Sequence, residues 1–173
     1  MRCFGQVLET DRLILRRLTV EDAAFIFELL NDPAWLRYIG DKNIRHPDDA
    51  AGYIRDRPMA SYEQFGFGLY LVERKADATP IGICGLIKRD TLPDVDIGLA
   101  FLPAFRRAGY AYESALAVLD HGRCDFGLKR IVALTAPDND DSIRILEKLG
   151  FQFEQLITMS GDGSPTKLFA REL

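Results

Sequence analysis

The spacing of apolar and polar positions changes period along the chain, and those changes divide it into elements. Residues 13–18, Leu-Ile-Leu-Arg-Arg-Leu, read as a strand with Leu13 and Leu15 on one face. Thr19 then offers an N-cap, with Glu21 and Asp22 in the first helical turn, where the helix dipole favours anions. The helix runs to about Leu30 and ends at Asn31-Asp32-Pro33. A second helix starts at His46-Pro47, with proline at the first position and Asp48-Asp49 behind it, and is expected to stop near Arg57-Pro58. Three strand-like runs follow at 66–73, 81–88 and 95–102, separated by turn-forming residues at 75–80 and 91–94, which predicts an antiparallel meander. Then the period lengthens. Tyr112, Ala115, Leu116 and Leu119 stand at i, i+3, i+4 and i+7, the apolar stripe of a helix. Ile-Val-Ala-Leu-Thr at 131–135 suits a strand buried on both faces. A helix over 142–149 closes at Gly150, and two last strands, 151–159 and 166–171, are joined by Ser-Gly-Asp-Gly-Ser at 160–164. This succession predicts an α/β (α+β) sandwich around one mixed central sheet. Without a linker, a repeat or a shift of composition, residues 1–173 form one domain.

Composition narrows the function. A chain of 173 residues with 47% hydrophobic positions can bury roughly 70% of its unfolded surface and needs no metal or disulfide to hold its core. Twenty-two basic against 26 acidic residues give a net charge of −4, without the clustered cationic excess that nucleic acid demands. Cys3, Cys84 and Cys124 are far apart, no C-x-x-C occurs, and the chain has 2 histidines. That argues against a disulfide framework and a metal site, and suits a reducing cytoplasm. Uncharged runs reach about ten residues, short of the roughly 20 a bilayer requires. Residues 1–5 carry no apolar stretch of the signal-peptide kind. The expectation is a cytoplasmic protein that engages neither membrane nor nucleic acid.

The stretch richest in chemistry is a strand, Pro103, the loop Arg106-Arg107-Ala108-Gly109-Tyr110-Ala111, and then a helix. Small residues at a helix start let backbone N–H groups approach a ligand, and those amides with the dipole make an anion site, most often for phosphate. The loop lacks the G-K-[ST] of a Walker A motif and is not G-x-G-x-x-G. By itself it also fits a purely structural turn. Nucleophile motifs such as S-x-x-K and G-x-S-x-G are absent.

Downstream come Asn139-Asp140-Asp141-Ser142 and Glu147-Lys148-Leu149-Gly150-Phe151. This order resembles the GNAT superfamily of acyl-CoA-dependent N-acyltransferases. The opening Leu8-Glu9-Thr10-Asp11-Arg12-Leu13-Ile14-Leu15-Arg16, with Asp96-Ile97-Gly98-Leu99 and Gly109-Tyr110-Ala111-Tyr112-Glu113-Ser114, is similar to the ribosomal-protein N-terminal (RimJ/RimL-like) branch. The likeness runs from about residue 8 to 172. It implies a mostly antiparallel sheet of about six or seven strands, helices on both faces and a splayed acyl-CoA cleft. It also implies acetyl-CoA as co-substrate, no metal, and transfer to an amine by direct attack in a ternary complex. The acceptor would be a protein or peptide N-terminal amine, with a polyamine or amine antibiotic as the alternative. A CoA-binding module without catalysis is a further reading, as is an amine-binding regulatory domain without CoA. Either a monomer or a homodimer is compatible.

Position by position, the resemblance assigns Arg106, Arg107, Ala108, Gly109, Tyr110 and Ala111 to the CoA pyrophosphate. Phe101 and Leu102 fall on the strand whose backbone meets the pantetheine arm, and Asn139 and Ser142 beside the CoA tail and sulfur. Arg107 stands where glycine is common. Leu146 stands where many relatives carry the tyrosine that protonates the leaving thiolate, which makes Ser142 the nearest candidate acid. Asp96 matches a carboxylate that serves as base in some relatives; the other reading puts Asp94 and Asp96 on the solvated face of an alternating strand. Glu113, one turn into a helix, either lines the acceptor site or caps and packs. His46 reads as a helix-entry residue, His121 as surface, and Cys84 as core. Trp35 and Tyr38 lie in a segment that forms one wall of the acceptor pocket in this family, with packing as the plainer role.

Overall fold

The computed structural model describes residues 5–159 and 162–173. The expectations for Cys3, for the first residues of the chain and for Ser160-Gly161 of the last turn lie outside the described residues. Eight strands form one sheet in the order β1-β2-β3-β4-β5-β6-β8-β7. They are β1 Gln6–Glu9, β2 Leu13–Arg17, β3 Leu69–Arg74, β4 Pro80–Ile87, β5 Asp96–Phe101, β6 Arg130–Thr135, β7 Gln152–Thr158 and β8 Pro165–Glu172. Every pairing is antiparallel except β5 with β6. One strand more is present than expected. The four residues of β1 carry no alternation to read, and form a strand because Leu13–Arg17 supplies an edge on which Gln6 pairs with Arg16 and Glu9 with Ile14.

Helices cover both faces. On one lie α1 Ala23–Leu30, α2 Pro33–Tyr38 and α3 Pro47–Ile54, and α4 Ala60–Phe65 follows α3 with Tyr62 and Phe65 turned into the cluster of the other face. Ile26, Leu29, Leu30, Ala50 and Ile54 of this layer pack on Leu71, Ile83 and Leu102. On the other lie α5 Tyr110–Phe126 and α6 Asp140–Lys148, whose Val118, Leu119, Leu146 and Leu149 pack on Leu13, Tyr70, Leu86, Ile97 and Ile131.

Three sequence expectations need correction. Pro33 does not only end a helix. Asp32 accepts from the amides of Ala34 and Trp35 and caps α2, the same acid-or-polar-plus-proline start that was read correctly at His46-Pro47. The chain does not stop at Arg57-Pro58 either. It continues through a π turn, Arg55–Met59, into α4 and ends at Gly66, φ 81°. The wider i→i+5 turn absorbs the amide that proline lacks, and buried Ile54, Pro58 and Tyr62 favour continuing over the sheet. Finally, the buried face of α5 is Ser114, Ala115, Val118, Leu119, His121 and Gly122, whereas Leu116 is exposed. Gly122 rotates the contact face because it lets Ile131 approach, a Cβ there meeting its side chain at 3.1 Å.

His121 is therefore buried, not a surface residue. Its Nε2 lies 3.2 Å from the Tyr70 hydroxyl, and its Nδ1 pairs with Asp125. Cys84 is core as expected, and burial pushes its thiol up to about 12 despite a hydrogen bond from Ser114. His46 caps α3 through Nδ1, which accepts from the Asp48 amide at 3.2 Å.

Candidate functional site

The parallel pair β5/β6 is barely a pair. Its register holds only at Asp96 opposite Val132, where the Val132 amide donates to the Val95 carbonyl at 3.0 Å. Beyond that point the strands diverge, and the sheet opens into a cleft with Asp96 at its apex. Backbone groups alternate sides along a strand. The Leu102 amide donates to Ile81 of β4 at 3.0 Å, so Gly98 and Ala100 point the same way, and Leu99 and Phe101 turn their backbone to the cleft. Of the two positions expected to meet the pantetheine arm, Phe101 turns its backbone to the cleft, with its carbonyl accepting from Arg106; Leu102 is spent on β4 and packs in the core.

At the open end of β5, Pro103–Phe105 makes one 3-10 turn. The chain then passes through Arg107 at φ 59° and Gly109 at φ 83° before α5 begins. The first intrahelical bond runs from the Glu113 amide to the Gly109 carbonyl at 3.0 Å, which leaves the amides of Tyr110, Ala111 and Tyr112 without helical partners. Those amides, at the positive end of a 17-residue helix, are free of helical partners within the loop 106–111 on which an anion site is expected. Arg107 holds a left-handed conformation that costs a non-glycine residue about 1 kcal/mol. Its side chain is 85% exposed and reaches Asp141 of α6 at 3.8 Å, across the mouth of the cleft. Arg37 makes a second crossing, donating to Asp138 at 3.0 Å.

Arg106 does not face outward with Arg107. Its Nη2 donates to buried Asp32 at 2.6 Å and its Nε to the Phe101 carbonyl at 2.9 Å. It braces the loop against the α1–α2 corner. Asp32, Pro33, Ala34, Arg37, Tyr38, Pro103 and Arg106 line a pocket of about 390 Å³ there. Glu113 is likewise engaged: Thr10 Oγ1, the Arg12 amide and Arg12 Nε donate to it at 2.6, 2.9 and 2.7 Å. Burial alone would raise its carboxyl, but these donors outweigh burial and hold it below the ordinary range. Arg12 also donates to the Ala108 carbonyl at 3.0 Å. Glu113 thus ties the β1–β2 turn to the loop by packing, and among the described residues takes no hydrogen bond from an amide of α5.

At the apex Asp96 is 2% exposed, so it is not on a solvated face; Asp94, half-buried, pairs with Arg130 at 3.1 Å. Arg89 Nε donates to Asp96 Oδ2 at 2.9 Å, while Oδ1 is buried with no partner among the described residues. Burial pushes this carboxyl above the ordinary aspartate value, with the Arg89 charge opposing. Arg89 was not anticipated. The only sequence signal was hairpin arithmetic, since Ile87 pairs with Asp96 and the next turn residues must lie near it.

On the far wall, Asn139 Oδ1 accepts from the Ser142 amide at 3.2 Å and caps α6, and Ser142 Oγ makes no hydrogen bond among the described residues. Leu146 is buried against the α5 face and offers no proton. Thr135 Oγ1 and Trp35 Nε1 are buried without hydrogen-bond partners among the described residues. Trp35 packs in the α1–α3 layer. Among the described residues no helix is long and apolar enough to cross a membrane, and no three His, Cys, Asp or Glu side chains cluster as metal ligands do.

A sheet splayed between two parallel strands, with the free amides of a helix start at its mouth, has known counterparts. The family model described as acetyltransferase (GNAT) domain matches residues 12–152. The chain is 33% identical to the uncharacterized N-acetyltransferase YoaA of Bacillus subtilis (strain 168), over 92% of this chain and 91% of that protein. Among solved structures, RimL, a ribosomal L7/L12 alpha-N-protein acetyltransferase in complex with coenzyme A, superposes with TM-score 0.83 at 16% identity, covering 97% of this chain and 98% of that one. The acetyltransferase from Agrobacterium tumefaciens gives 0.80 at 22% identity, covering 95% and 92%. The chain belongs to the GNAT acetyltransferase family, acyltransferases that use acetyl-CoA.

Proposed function

We propose that this acetyltransferase moves the acetyl group to the α-amine of a protein or peptide N-terminus, with Asp96 as the base. The observation that carries the reading is the position of Asp96: a buried carboxylate with one oxygen unpaired among the described residues, at the apex where β5 and β6 part. CoA would enter from the mouth, its pyrophosphate on the amides of 110–112 with Arg107 beside it, and its pantetheine arm along the edge of Leu99 and the Phe101 amide, the Phe101 carbonyl being held by Arg106. That edge lacks a strand partner beyond Asp96, so it can accept another chain-like ligand.

The acceptor nitrogen attacks the thioester carbonyl carbon, a C–N bond forms, and the oxyanion is met by unpaired backbone N–H groups of β5. The C–S bond then breaks, its electron pair leaves on sulfur, and the ammonium proton passes to Asp96, directly or through water. A carboxyl raised by burial is a better base near neutrality than an exposed one. Ser142, whose hydroxyl makes no hydrogen bond among the described residues, would protonate the thiolate.

Leu146 at the acid position favours one other reading, a CoA-binding module without turnover. Thiol release from acetyl-CoA against peptides, polyamines and amine antibiotics, with calorimetric CoA binding alongside, separates the two. Turnover of peptides that collapses in Asp96→Asn supports the proposal. CoA binding with no turnover of any amine would favour the silent module, and turnover confined to small amines would overturn the peptide acceptor.

A further inference from the structure

β7 is the last strand of the sheet, paired with β8 on one side and, among the described residues, with no strand on the other. Six of its seven residues are exposed, and Phe153 and Leu156, at 52% and 58%, are the most exposed large apolar side chains among the described residues. Residues three apart face opposite sides of a regular strand. Here the register slips by one residue between Phe153 and Gln155, so Phe153 stands opposite Phe169 and Leu156 opposite Lys167, two positions of β8 that share a face. A bulge can turn an edge away from a partner; this one gathers Phe153 and Leu156 on one side. Free edges of soluble sheets are ordinarily guarded by lysine, proline or a very short strand. β7 runs seven residues without lysine or proline, and its one charge, Glu154, is drawn back across β8 to Arg130 Nη2 at 2.6 Å. The opposite edge is guarded: β1 has four residues, Val7 and Leu8 pack on the core, and Glu9 pairs with Lys75 at 2.6 Å.

Counting Glu154 as the extra residue, Phe153 and Leu156 lie one pleat either side of Gln155, and Gln152 and Ile157 two pleats either side. The strand is therefore complementary to itself. We infer that β7 joins a second copy of this chain, antiparallel and edge to edge about a two-fold axis through Gln155, so that one sheet runs through a homodimer. In that register Phe153 of each copy stands opposite Leu156 of the other on one face, and Gln152 opposite Ile157 on the other face. Cross-strand pairs of an aromatic with an aliphatic side chain are what stabilise such a ladder. The edge turns no charge outward by which a charged partner could recognise it, and with a net charge of −4 on each copy an edge of free acids would repel its twin. Pairing like with like also closes the assembly, leaving only the two guarded β1 edges. Main-chain hydrogen bonds supply the affinity. The joined strip, about 23 Å by 10 Å on each copy, is small beside the roughly 1,200 Å² of total surface in a permanent dimer, so exchange with monomer in the micromolar range is expected.

Sedimentation velocity of the full chain, from micromolar to a few hundred micromolar, is the test. The parent is expected to pass from monomer to dimer over that range. Leu156→Lys, which places a charge on the edge, is expected to weaken dimerisation about ten-fold or more. Because Leu156 is exposed, its circular dichroism and urea midpoint should match the parent's. A second variant fixes the register. Directly opposed residues have Cα atoms about 4.5–5.5 Å apart, within disulfide reach. Gln155→Cys, in a chain whose Cys3 and Cys124 are replaced by serine, should therefore cross-link two copies on oxidation, whereas Leu116→Cys, exposed on α5, should not. A monomer at every concentration would overturn the inference and leave the edge to a strand of another protein. A dimer as tight in Leu156→Lys as in the parent, or one that cross-links at position 116 and not at 155, would overturn it as well.

Discussion

Removing the guanidinium that faces Asp96 is the sharpest probe of the cleft apex. In Arg89→Met the apolar stem is kept and the charge is lost. Asp96, 2% exposed, then has no partner for either oxygen, since Oδ1 already lacks one. An uncompensated buried carboxylate costs about 3–5 kcal/mol; because Arg89 is itself 38% exposed, the low end, about 3 kcal/mol, is expected near pH 8. That is a large fraction of a typical domain stability of about 5–15 kcal/mol.

The loss depends on pH, with a definite sign. Burial already raises the Asp96 carboxyl, and removing Arg89 takes away the charge that opposes burial, so the folded value rises further above the unfolded one. Such a group gives its full stabilisation below the unfolded value and loses it as pH rises through the folded value. The deficit of Arg89→Met relative to the parent should therefore be small near pH 4 and grow by up to about 1.4 kcal/mol per pH unit until the folded value is passed. Urea unfolding at pH 5 and pH 8 measures it, and the double variant Arg89→Met/Asp96→Asn should recover most of the loss. A deficit under about 1 kcal/mol that is the same at both pH values would refute the reasoning, because Asp96 would then be held by something other than Arg89.

Four further outcomes follow from the same geometry. Asp96→Asn should lower kcat by about 10²–10⁴-fold and remove the acidic limb of the pH–rate profile, which in the parent should fall as pH drops through a value above that of an ordinary aspartate. Arg107→Gly and Arg107→Ala should both weaken CoA binding at low salt, measured by calorimetry, with glycine the more stable protein by about 1 kcal/mol because only it is relaxed at φ 59°. Tyr70→Phe leaves His121 Nε2 buried without its partner and should cost about 1–3 kcal/mol in urea unfolding, with CoA binding unchanged. Gly85→Ala should cost about 3 kcal/mol or more, seen as a fall in Tm, because its Cβ would stand 2.1 Å from the Gly68 carbonyl oxygen, and backbone cannot yield as a side chain can.

Where a function is written in contiguous residues, it could be read from the chain. The loop at 106–111 places its amides through local backbone geometry and the start of one helix, so the residues that mark the loop in the sequence also build it. Asn139 capping α6, Leu146 on an apolar face and Gly150 closing the helix, φ 83°, belong to the same kind of local information. The meander and the final strands follow from alternation that each segment carries within itself.

What the chain could not show depends on pairings between distant segments. Arg106 and Arg107 are neighbours in sequence and equal in charge, yet one is locked to Asp32 of the α1–α2 corner and the other reaches across the cleft to Asp141. Glu113 is bound by Thr10 and Arg12, about a hundred residues earlier, because the β1–β2 turn packs against the first turn of α5. Asp96 would titrate as an ordinary strand aspartate were it not closed in by the sheet and faced by Arg89. The sequence by itself determined the elements, their order and the anion-binding loop, since dihedral preference and apolar period act over a few residues. Only the tertiary structure decided which carboxylate keeps an unpaired oxygen and which arginine is spent, because desolvation and ion pairing are set by which residues share a volume, not by which share a segment.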